Sequence, residues 1–103
     1  MRIAIVDDLA KERASLHLRL EKILNLRSVC AEILEYESGE AFLAAEKKQR
    51  FTAAFLDIYM DGMSGMDAAR ELRKMDTDCM LVFTTTSTDH ALEGFQVRAM
   101  HYL

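Results

Sequence analysis

An α/β fold, a parallel sheet doubly wound with helices on both faces, is the class this sequence predicts. Short continuous apolar runs alternate along the chain with longer segments of helical period, the pattern of repeated βαβ units. Polar residues stand where the apolar runs end: Asp7 and Asp8 after Arg2–Val6, Asp57 after Phe51–Leu56, and Thr85 after Met80–Thr84. If those runs are neighbouring parallel strands, these groups converge on one sheet edge, where open α/β sheets bind ligands.

Ile3–Val6 reads as a strand buried on both faces. A helix follows from about Leu9 to Leu26, with Leu16, Leu20, Ile23 and Leu24 forming its apolar stripe. Ser28–Tyr36 alternates less cleanly and suits an edge strand. Ser38 then caps a helix that turns Ala41, Phe42 and Ala45 inward. Phe51–Ile58 is the third strand, and Asp61–Gly65 is a loop in which Gly62 and Gly65 permit backbone angles that side chains forbid. A helix from Met66 to Met75 leads to a fourth strand, Met80–Thr84. The hydroxyl run Thr85–Asp89 caps a short helix with Ala91, Leu92 and Phe95 inward, and Met100–Leu103 begins a fifth strand.

The 103 residues suit one domain, read as 1–103. Half are hydrophobic and 29% are charged, which excludes a disordered chain. No apolar run approaches the roughly 18 residues of a membrane helix, and no secretion signal opens the chain, so a cytoplasmic protein without membrane contact is expected. The net charge of −4 and scattered basic residues give no footprint for direct nucleic-acid contact. Lys47-Lys48-Gln49-Arg50 reads as a solvated helix end. Cys30 and Cys79 read as free, buried thiols, and His17, His90 and His101 show no ligand spacing. Met60, Met63 and Met66 suit adaptable packing better than a soft-metal site.

Three clustered carboxylates carry the chemistry. Two unit charges about 4 Å apart repel by roughly 4 kcal/mol at an effective dielectric of about 20, so one stays protonated or a cation binds. Oxygen-only donors favour a hard ion, and Mg²⁺ suits carboxylates that share it with a phosphate. Each residue also has a plainer reading: Asp7 or Asp8 as a helix cap, Asp57 as a turn residue, Thr85 as a cap.

Val6-Asp7-Asp8, Phe55-Leu-Asp57-Ile-Tyr-Met60 with Gly65 downstream, and Phe83-Thr-Thr85 together resemble the motifs of response-regulator receiver domains across the whole chain. Leu56–Met66 and Ala91-Leu-Glu-Gly-Phe95 leading to His101-Tyr-Leu103 are similar to receivers that precede LytTR-type DNA-binding domains. The resemblance implies a flavodoxin-like sheet of strand order 2-1-3-4-5 and a regulatory phosphoacceptor rather than an enzyme. Asp57 would take a phosphoryl group from a sensor histidine kinase. Asp8 and Asp57 would bind Mg²⁺ directly, Asp7 through water, and Tyr59 by its backbone carbonyl. Thr85 and Tyr102 would be the switch hydroxyl and switch aromatic, and a LytTR-type output domain would follow in the parent protein.

Two departures from the family pattern stand out. Asp61 occupies the position of a usual proline, and the family's lysine and fifth helix fall beyond Leu103. The domain is therefore read as incomplete at its C-terminus, with the last strand short and an uncovered sheet face expected to drive self-association into a homodimer or segment exchange. A pseudo-receiver that binds partners without phosphorylation is one alternative. An aspartyl phosphohydrolase of the haloacid-dehalogenase type is another, but it needs a second Asp where this chain has Tyr59.

Overall fold

The computed structural model describes residues 1–84 throughout and residues 99–102 as a backbone strand. Among the described residues the elements are, in order, β1 Arg2–Val6, α1 Ala10–Leu26, β2 Glu32–Tyr36, α2 Gly39–Lys48, β3 Ala53–Leu56, α3 Gly65–Met75, β4 Met80–Phe83 and β5 Ala99–Tyr102. The strands form one parallel sheet in the order β2-β1-β3-β4-β5. This is the flavodoxin-like arrangement expected from the sequence. Thr85 and the segment carrying Ala91, Leu92 and Phe95 lie outside the described residues, as does the side chain of Tyr102.

Strand periodicity divides the sheet into two faces. Register aligns Ala4 with Ala54 and Leu81, and Val6 with Leu56 and Phe83. Their side chains meet Phe42 and Leu43 of α2 and Met66, Ala69 and Leu72 of α3 in the main core. Tyr36, Phe42 and Phe51 close one end of it, with ring centroids 5.5–6.3 Å apart. Ile5, Phe55 and Val82 point to the other face, which α1 covers in part.

The helix ends explain where prediction and structure part. Ser38 Oγ accepts from the Ala41 amide at 3.1 Å, the cap expected of α2. Ser64 caps α3 in the same way through Asp67, so that helix begins one residue earlier than the pattern suggested. At the end of α1, the Val29 amide returns to the Leu24 carbonyl at 2.9 Å and that of Ser28 to Asn25 at 3.2 Å. Ser28 holds φ of 56°, so this is a Schellman ending with serine in the left-handed position usually given to glycine. It occupies residues expected to open the second strand, and β2 shortens to Glu32–Tyr36.

Burial corrects three further expectations. Phe42 is enclosed and Ala45 half-buried, but Ala41 faces solvent, while Leu43 and Glu46 turn inward instead. Cys30 is exposed, and Cys79 alone of the two thiols is buried. In α1 no residue is fully buried: Leu16, Leu20 and Leu24 are half-covered and Ile23 is 51% exposed. Among the described residues α1 rests chiefly on β1 and β2, which is too narrow a support for its stripe. Met66 is buried, with Met60 and Met63 packed beside the core, as adaptable packing requires. No helix among the described residues is long and apolar enough to cross a membrane.

The two faces should therefore respond unequally to truncation. Leu72→Ala, in the enclosed core, should cost about 2–5 kcal/mol in urea unfolding, and Leu20→Ala, half-covered on α1, less than half as much. Equal losses would show that α1 is packed as tightly as α3.

Candidate functional site

β1 and β3 run side by side with Val6 opposite Leu56, and the Asp57 amide donates to the Val6 carbonyl at 3.0 Å. The next residues on each strand are thereby brought level at the C-terminal sheet edge. Carboxylate oxygens of Asp7, Asp8 and Asp57 lie within 4.8 Å of one another. β4 reaches the same edge, for the Thr84 amide donates to the Leu56 carbonyl at 2.9 Å.

Each carboxylate is steadied by backbone. Asp7 Oδ1 accepts from the Leu9 amide at 2.9 Å, Asp57 Oδ1 from Tyr59 at 3.2 Å, and Asp8 Oδ2 from Asp61 at 3.1 Å. The capping explanation of Asp7 and Asp8 fails, because the N-cap of α1 is Leu9, which makes no side-chain capping bond. Tyr59 is 56% exposed.

Asp7 is buried, and Asp8 and Asp57 are half-buried. Burial is the first cause that pushes the Asp57 carboxyl above its ordinary 3.8; the charges of Asp7, Asp8 and Glu12 add to it, while the Tyr59 amide opposes it. Asp7 is likewise raised, first by burial and then by Asp8 and Glu12, against the Leu9 amide. A cavity of about 450 Å³ runs from Asp7, Asp57 and Thr84 along the α1 face of the sheet, past Ile5, Leu16 and Arg19. Asp7 and Asp57, whose ionisation is disfavoured, stand with Asp8 next to open space, and three such oxygen donors fit a small hard cation.

Two contributors lie outside the motifs, and Gly65, within them, plays a different part from the one its type suggests. Glu12 brings a further negative charge from the first turn of α1, a position that reads from sequence only as a favourable acidic first turn. Arg13 Nη1 donates to the Asp7 carbonyl at 2.6 Å, a contact made visible only by folding. Gly65 was read as a source of backbone freedom, which in fact belongs to Gly62 at φ of 77°. At Gly65 the reason is proximity: an added Cβ would sit 2.0 Å from the Asp57 carbonyl oxygen. The bare backbone lets the start of α3 lie against β3's exit, where the Gly65 amide donates to Ile58 at 2.9 Å.

The family model described as the response regulator receiver domain matches residues 3–103. The sensory transduction protein LytT of Bacillus subtilis is 33% identical over all of this chain, which spans 41% of that relative. LytR of Staphylococcus epidermidis is 32% identical over the same extent, which is 39% of its length. Among solved structures, the response regulator TrrA of Thermotoga maritima in complex with Mg²⁺–BeF aligns over 99% of this chain and 84% of its own, at TM-score 0.81 and 28% identity. TrrA bound to the histidine kinase ThkA aligns at TM-score 0.80, again at 28% identity over 99% of this chain and 83% of that one. A match to the receiver model along nearly its whole length, together with the shared fold, shows that this chain belongs to the response regulator receiver domain family.

Proposed function

We propose that residues 1–103 form a receiver domain that accepts a phosphoryl group on Asp57 from the phosphohistidine of a sensor histidine kinase, in the cytoplasm. The observation that carries this reading is the convergence of Asp7, Asp8 and Asp57 within 4.8 Å at one sheet edge. An Asp57 oxygen bonds to phosphorus as the bond from phosphorus to the kinase imidazole breaks, and the electron pair leaves on the imidazole nitrogen, which takes up a proton. Asp57 needs no general base once ionised, and the Tyr59 amide holds one of its oxygens in place.

The donor set suits Mg²⁺, held by Asp8 and Asp57 directly, Asp7 through water, and the Tyr59 carbonyl. When bound, that ion supplies positive charge where an anionic carboxylate meets an anionic phosphoryl group. The TrrA complex with Mg²⁺–BeF supports this assignment by analogy, as its pairing with ThkA supports a kinase partner. Thr85, two residues beyond the end of β4, would bond a phosphoryl oxygen, and Tyr102 on β5 would follow its movement. The output in the parent protein would be a LytTR-type DNA-binding domain, which the likeness to LytT and LytR favours.

Incubation with Mg²⁺ and a small acyl phosphate should add one phosphoryl group by intact mass, and neither Asp57→Asn nor the chelator-treated chain should gain it. Modification that persists in Asp57→Asn would contradict the assignment of the acceptor.

Charge repulsion at the site predicts a pH dependence. Because folding raises the pKa of Asp7 and Asp57 above 3.8, the folded chain binds more protons than the unfolded one, and the metal-free chain loses stability as pH rises through the raised values. Asp57→Asn should therefore raise the metal-free Tm at neutral pH by a few degrees, since about 1 kcal/mol moves Tm by roughly 4–8 °C in a domain of this size and partial exposure screens the charges. That gain should fade as pH falls toward 3.8. Added Mg²⁺ should stabilise the parent chain more than the variant; an equal response would separate the ion from Asp57.

A further inference from the structure

At the opposite end of the sheet, where β3 and β4 begin, two carboxylates are shut away from solvent. Glu46 on the last turn of α2 and Asp76, the C-cap of α3, are each 3% exposed. With the Cys79 thiol, their ligand atoms lie within 4.8 Å of one another. Glu46 Oε1 accepts from the Phe51 amide at 3.1 Å, and Asp76 Oδ1 accepts from Asp78 at 2.9 Å and Cys79 at 3.1 Å. Two enclosed negative charges within 4.8 Å repel, and a proton on one carboxyl removes that repulsion. The proton belongs on Glu46, because Asp76 takes two amides and faces Arg50 Nη1 at 3.9 Å.

Two guanidiniums border the pair. Arg50 is two-thirds exposed and donates to the Met75 carbonyl, and Arg73 donates to the Asp76 carbonyl. Lys47, Lys48 and Asp78 face solvent. From β1, Arg2 lies over the Phe51 ring at 4.5 Å and pairs with Glu32. Burial and then Asp76 push Glu46 above its ordinary 4.5, against the Phe51 amide and Arg50. Cys79 is pushed up to about 12, first by burial, so its thiol adds no third charge. A cavity of about 280 Å³ borders Glu46 on the side of Lys47, Arg50 and Met75.

We propose that Glu46 and Asp76 hold one proton between them and act as a pH-sensitive latch joining the α2–β3 and α3–β4 junctions, closed while the proton is present and loosened when it leaves. This latch is independent of the phosphoacceptor reading. Its stability is fully present below the ordinary 4.5 and is lost as pH rises through the folded-state pKa of Glu46. Loss of the proton leaves two enclosed anions bonded to the start of β3 and the start of β4, and their repulsion works against both junctions.

The test compares the chain with Glu46→Gln, whose amide stands for the protonated acid, by urea unfolding across pH, alongside side-chain carboxyl ¹³C NMR of the unsubstituted chain. The unfolding constant of the unsubstituted chain should climb relative to Glu46→Gln by up to about tenfold per pH unit, the limit for one proton. Asp7 and Asp57 contribute alike to both and cancel. The Glu46 carboxyl should ionise above 4.5, and lower in Asp76→Asn. Parallel pH profiles, or a Glu46 carboxyl that ionises in the ordinary range, would overturn the proposal. The NMR result decides it if Glu46→Gln does not fold.

Discussion

Three carboxylates are forced together by the backbone ladder between β1 and β3, and the chemistry of the site follows from that constraint. Opposite pairing of Val6 and Leu56 sets the backbones of Asp7, Asp8 and Asp57 side by side, with their carboxylate oxygens within 4.8 Å of one another. Arg13, nearby on α1, bonds the Asp7 carbonyl and forms its ion pair with Glu35. Glu12 adds to the negative field. Hydrophobic burial of Val6, Leu56 and Phe83 holds an arrangement that electrostatics alone would disperse, and the resulting strain is relieved by a proton or a cation.

Much of this was legible because strands and acidic termini leave strong marks in sequence. Ile3–Val6 reads as buried on both faces and is, and Asp7, Asp8 and Asp57 meet as their positions after apolar runs suggested. What escaped depended on contacts far apart in the chain. Ser28 gives no glycine signal for the left-handed turn that ends α1, so the pattern extends β2 back to Ser28 where the strand begins at Glu32. Glu46 carries the charge of a surface residue, and only the approach of Asp76, thirty positions on, reveals that it is enclosed. Gly65 was noticed for the wrong property, since the sequence shows a glycine's freedom but not the carbonyl that lies against it.

The molecule thus handles paired carboxylates in two ways. At the C-terminal sheet edge the acids border open space, and their charge suits an arriving cation and phosphoryl group. At the N-terminal edge Glu46 and Asp76 are enclosed, bonded to the amides of Phe51, Asp78 and Cys79, and best served by a shared proton. Burial separates the first from the second, more than the identity of the acids does, for Asp8 and Asp57 are half-buried and Glu46 and Asp76 are each 3% exposed.

Where a divalent ion settles distinguishes these two ends most directly. Mn²⁺, which takes oxygen ligands as Mg²⁺ does, broadens the amide resonances nearest to it in NMR. Substoichiometric Mn²⁺ should broaden residues 7–9, 57–59 and 84 selectively, with the signals restored by excess Mg²⁺. Broadening centred on residues 46, 76 and 79, or spread evenly over the acidic surface, would contradict a cation site built by the β1–β3 register.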